Sequence, residues 1–115
     1  MSFWKWNDVE LEVDMEDVEF QEKYENAFNK MEVTEKALQK TGKMSDISRA
    51  YCLMFYELFD NIFGDGTAVK LMGDKLNCRV CDECYDSFIA FCGKQSIEIN
   101  KKRSKMLSKY KPKIR

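Results

Sequence analysis

The sequence predicts an α+β domain, mostly α: an N-terminal β-hairpin packed on three main helices and one short helix, with a long C-terminal helix. Three observations predict it. Apolar residues alternate with period two over residues 3–14 and then switch to helical spacing from about residue 17. Gly42, Gly64 and the Gly73–Asn77 stretch punctuate the helical part. The chain has 115 residues, 44% of them apolar, with fifteen aromatics. That is enough for one core and argues against disorder.

In the hairpin (3–14), Val9, Leu11 and Val13 alternate with Glu10, Glu12 and Asp14. Phe3, Trp4 and Trp6 lie across Asn7-Asp8, two residues that tolerate left-handed turn geometry. A lone hairpin is marginal in water and needs cover from helices or from another chain. The first helix, 17–41, sets Phe20, Tyr24, Ala27, Phe28, Met31 and Leu38 on one face. Gly42 is its expected stop, and Ser45 the expected cap of the next helix. That second helix, 46–63, is apolar nearly all round, which marks a central position.

GDGT at 64–67 invites a phosphate-loop reading, but no Gly-Lys-Ser/Thr ending follows a strand. The acids do not have EF-hand spacing either. The simpler reading is a helix stop, then a Thr67-capped one-turn helix over 67–72. Asn77 is a suitable cap for the last element. Its apolar half, 77–93, closes a compact domain of residues 1–93. Residues 94–115 form a basic helical extension that projects, frays or docks on a partner. Pro112 makes helix beyond it unfavourable.

Four of five cysteines fall within 78–92. A zinc or cluster site on Cys78, Cys81, Cys84 and Cys92 is one alternative. There is no histidine, and residues six apart on a helix diverge by about 120°. The ferredoxin-type run fits only its first three positions, because position 88 is Phe and no Pro follows. A Cys-x-x-Cys redox pair normally follows a strand in a βαβ setting, and no parallel sheet is foreseen. Packing is the preferred reading: reduced cysteine is a small hydrophobe that lets helices approach closely. No cofactor is expected. Without histidine, and with no spacing that joins a nucleophile to a base, the chain reads as a non-enzyme.

Net charge is −1, but it is unevenly spread. Residues 1–40 hold eleven acids and five bases, while 101–115 hold eight bases and no acid. A solvated helix end explains the tail most simply. Next comes an acidic protein partner or a second copy, contacted through Lys101, Lys102, Arg103, Lys105, Met106, Lys109 and Tyr110. A nucleic-acid-associated regulator ranks third, since Tyr110 is the tail's only aromatic. Phe3, Trp4 and Trp6 are further candidates for partner contact, weighed against packing on the protein's own helices. No stretch approaches the apolar length of a membrane span, and no signal peptide is seen, so a cytoplasmic location is expected.

Two segments, WNDVELEVDMEDVEFQEKYENAF and YELFDNIFGDGTAVKLMGDKLNCRVCDECYDSFIAF, resemble a family of small prophage tail-module proteins of Gram-positive bacteria. The shared order is a short hairpin, an EKYE-type acidic helix, an FG-x-GT segment and a cysteine-bearing helix, over residues 6 to about 92. The resemblance implies a tail-assembly chaperone in the bacterial host cytoplasm. Such a protein holds the tape-measure protein or tail-tube subunits before polymerisation. It supplies no binding residues, and the three-cysteine run goes beyond its pattern.

Overall fold

The computed structural model describes residues 2–109. Strands β1 (Phe3–Trp6) and β2 (Val9–Glu12) pair antiparallel, with Trp4 opposite Leu11 and Trp6 opposite Val9. Asn7 and Asp8 both have positive φ, 50° and 62°. A two-residue turn of that hand matches the right-handed twist of the strands. The pairing puts Trp4, Trp6, Val9 and Leu11 on the core side, and Phe3, Lys5, Glu10 and Glu12 outside.

Helices α1 (Val18–Ala37), α2 (Met44–Phe63), α3 (Thr67–Met72) and α4 (Cys78–Lys109) follow. Asp17 caps α1 by accepting from the Phe20 N–H at 3.0 Å. The helix stops at Ala37, short of the expected residue 41. Leu38 turns extended there and packs against the core, so burial of one leucine wins over continued helix. The second helix begins at Met44, with Lys43 as its cap residue and no side-chain cap. Ser45 therefore sits inside the first turn and does not cap it.

Gly64 ends α2 at φ 114°, and Gly66 holds the left-handed position before α3 at φ 90°. These two glycines account for GDGT: both positions need conformations that a Cβ disfavours. Thr67 is the first helical residue rather than the cap. The capping oxygen comes from α2, where Asp60 Oδ1 accepts the Ala68 N–H at 2.9 Å. Asn77 caps α4 as expected, accepting from the Arg79 and Val80 N–H groups.

α2 is the central helix, with Cys52, Met54, Phe55, Tyr56, Leu58, Phe59 and Ile62 buried. It packs against α1, α3 and α4, while β1 lies on α4. Trp4 fills the junction. Its ring is stacked on Phe59 at 5.7 Å and tilted against Phe88 at 5.1 Å.

α4 is one continuous helix of 32 residues, about 48 Å long at 1.5 Å per residue. It gives the molecule a 68 Å long axis against 31 and 21 Å. The compact body reaches further along it than residue 93. Gln95 Nε2 donates to the Val13 carbonyl at 2.6 Å, and its Oε1 accepts from the Met15 N–H at 2.9 Å. Ile99 is half-buried, and from Asn100 to Lys109 every residue is exposed.

Candidate functional site

Three features of the surface and subsurface bear on function: the free end of α4, a groove at its other end, and the thiols between α2 and α4.

The free end holds five of the tail's bases, Lys101, Lys102, Arg103, Lys105 and Lys109. Lys102 reaches back to Glu16 at 3.0 Å, an exposed pair of small energetic weight. Met106 and Leu107 stand 45% and 66% exposed, so the segment offers apolar as well as cationic contact. Tyr110 lies outside the described residues. The hairpin aromatics part company. Trp4 is 2% exposed and is corrected from a partner-contact residue to a core anchor, because alternation turns it inward onto Phe59 and Phe88. Trp6 is partly buried against the same core, and Phe3 alone is well exposed, at 50%.

The groove lies between α1, α2 and the first turns of α4, a cleft of about 700 Å³. Phe28, Tyr51, Phe55 and Tyr85 form its aromatic lining, with Met31 and Met54. Glu32, Glu35, Asp82 and Asp86 add four carboxylates. Tyr51 donates its hydroxyl to Asp82 Oδ1, and that bond, with burial behind it, pushes the phenol pKa up. Burial also raises Tyr85, aided by the charges of Glu35 and Asp86. Both rings stay neutral hydrogen-bonding groups at ordinary pH. No sequence signal pointed to this groove, because its acids come from two distant helices, and only the helical register brings them together.

The cysteines of α4 do not converge. Cys81, Cys84 and Cys92 are buried in the core, and Cys78 is half-buried at the start of the helix. Among the described residues no group of three or more Cys, Asp or Glu side chains is placed to hold a metal ion. Burial pushes the Cys84 and Cys92 thiols up to about 12. Cys78 instead meets Cys52 of α2, Sγ to Sγ 3.6 Å, and also approaches the Ser48 carbonyl at 3.8 Å. Burial first, and then bonding to Cys78 and Cys81, raises Cys52 to about 12. The Cys52–Cys78 pairing crosses two helices, which the spacing of residues 78–92 could not reveal.

A family profile matches residues 7–114, from the hairpin turn through the free end of α4. The chain belongs to DUF6673, a family of unknown function. The matched span covers body and extension alike. Comparison with curated proteins and with solved structures gives no match. Among the described residues no helix is long and apolar enough to cross a membrane.

Proposed function

We propose that this protein is a non-enzymatic assembly protein of a phage or prophage. In this reading it is a tail-assembly chaperone that binds a tape-measure or tail-tube protein and associates with copies of itself. The phage setting rests on the resemblance of the two sequence segments. The binding role rests on one observation: a cationic, partly apolar helix end whose one ion pair to the body, among the described residues, is Lys102–Glu16. An exposed helix of that kind suits docking along an acidic helical client.

The groove supports self-association. Asp86 and Lys102 are sixteen residues apart on one helix, about 24 Å at helical rise. A rigid rod cannot bring its basic end back to its own acidic groove. Complementary surfaces so placed satisfy each other between copies, head to tail.

The test is co-expression with the tape-measure and tube proteins of the same genome. The chaperone reading expects a stoichiometric complex that is lost when Lys101, Lys102, Arg103 and Lys105 are changed to Glu. It also expects a gene just upstream of a very long tape-measure gene. A repressor or integrase neighbourhood, or generic DNA binding with a steep salt slope and no client, would favour a nucleic-acid-associated regulator instead.

A further inference from the structure

Cys52 belongs to the buried core and Cys78 packs against it, but their sulfur–sulfur contact is a feature that the docking surfaces do not absorb. Their sulfurs lie 3.6 Å apart, on helices joined otherwise by side-chain packing and the Tyr51–Asp82 hydrogen bond. A disulfide needs about 2.05 Å between sulfurs, so closure asks each to move by under about 1 Å, within reach of small side-chain rotations. Cys52 is itself 1% exposed and Cys81, Cys84 and Cys92 are at most 2% exposed, so Cys78 is the one accessible thiol of the five. Cys78 is half-buried and, with Cys52, lines a cleft of about 640 Å³. Arg49, Lys75 and Arg79 also line it, against a single acid, Asp74. The cleft is therefore cationic and has a nucleophilic pair in its wall.

We propose that Cys52 and Cys78 form a thiol–disulfide exchange site that takes an anionic low-molecular-weight disulfide, and that the product is an α2–α4 crosslink. The Cys78 sulfur gives up its proton and attacks one sulfur of the incoming disulfide. The disulfide S–S bond breaks, one small thiol leaves, and Cys78 holds a mixed disulfide. Cys52 then loses its proton and attacks the Cys78 sulfur, expelling the second small thiol. The protein pair is oxidised by two electrons, the small disulfide is reduced to two thiols, and the two protein protons leave on those thiols. Cys78 attacks first because it is the more accessible; Cys52, buried and protonated, resolves. The crosslink ties the middle of α2 to the first residue of α4, the helix that carries both proposed docking surfaces.

The experiment uses the full reduced chain and glutathione disulfide as the probe, with thiol counting and peptide mapping by mass spectrometry. Two thiols disappear, a Cys52–Cys78 linked peptide appears, and the melting temperature rises by roughly 10 °C as the long loop is closed. Cys52→Ser stops at a mixed disulfide on Cys78, and Cys78→Ser leaves Cys52 unmodified. Arg49→Glu with Arg79→Glu slows the reaction about 5- to 10-fold with glutathione disulfide and leaves it unchanged with the neutral 2-hydroxyethyl disulfide. Five thiols remaining, a linkage through Cys81, Cys84 or Cys92, or an equal slowing with both probes would overturn the proposal. Because the readout is covalent, it is independent of whether any client is bound.

Discussion

The indole Nε1 of Trp4 donates to Ser87 Oγ at 3.0 Å, joining residues 83 positions apart. This bond, with the ring contacts to Phe59 and Phe88, fixes the hairpin on the helices. Trp4→Ala removes a fully buried aromatic from that junction and should cost about 3–5 kcal/mol. Trp4→Phe keeps an aromatic ring but loses the hydrogen bond, and Ser87→Ala leaves the indole N–H unpaired; each should cost about 1–3 kcal/mol. Urea midpoints followed by far-UV circular dichroism measure all three. A loss below about 1 kcal/mol for Trp4→Ala would mean that the hairpin is not docked in this way.

Gln95 satisfies two backbone groups at once, the Val13 carbonyl and the Met15 N–H, where β2 passes into α1. Gln95→Glu keeps the acceptor for Met15 but has no donor for Val13, whereas Gln95→Ala loses both. The expected order is wild type, then Glu, then Ala, with about 1–2 kcal/mol lost in Ala. Amide hydrogen exchange at Met15 should quicken strongly in Gln95→Ala and little in Gln95→Glu. Equal exchange in both variants would contradict the bonding.

Alkaline pH should destabilise the fold in a defined window. Burial holds Cys84 and Cys92 at about 12, against an ordinary thiol value of 9.0, and Tyr24 at about 12 against 10.0. The folded chain thus keeps protons that the unfolded chain releases. The stabilisation is complete below about pH 9 and is lost as pH climbs toward 12. Each buried thiol contributes a slope of at most about 1.4 kcal/mol per pH unit. Melting temperatures at pH 8, 9.5 and 10.5 should fall progressively, and Cys92→Ala should fall less steeply than wild type. A flat profile would show that these thiols ionise as readily folded as unfolded.

The hairpin, the central helix and the Asn77 cap were legible because their signals are local: period-two alternation, an all-round apolar run, and one side chain beside the helix it caps. The end of α1 was not, since Leu38 leaves the helix to meet a core assembled from distant residues. The Thr67 cap failed for a similar reason: the capping oxygen belongs to Asp60, eight residues before Ala68 and on another helix. Trp4 and Phe3 are neighbours in sequence with opposite exposures, and only the hairpin's orientation on α4 decides between them. The carboxylate groove and the Cys52–Cys78 pair were illegible because both are made by contacts across helices.

Removing residues 101–115 should separate stability from binding. From Asn100 to Lys109 every residue is exposed, and the one ion pair of this stretch to the body among the described residues, Lys102–Glu16, is exposed at both ends. Such a pair is worth about 0–1 kcal/mol. The truncated chain should therefore unfold within about 1 kcal/mol of wild type. It should sediment as a monomer at low salt, where the full chain self-associates through the basic end and the carboxylate groove. Self-association of the full chain should also weaken with added salt, because the paired charges are screened at short range. A chain with Asp82→Asn and Asp86→Asn keeps its basic end, and one with the four tail bases changed to Glu keeps its groove. Each alone should stay monomeric, while their mixture should give a 1:1 dimer that grows no further. Monomeric wild type at 50 mM salt, or a mixture that stays monomeric, would rule out head-to-tail pairing of these two surfaces.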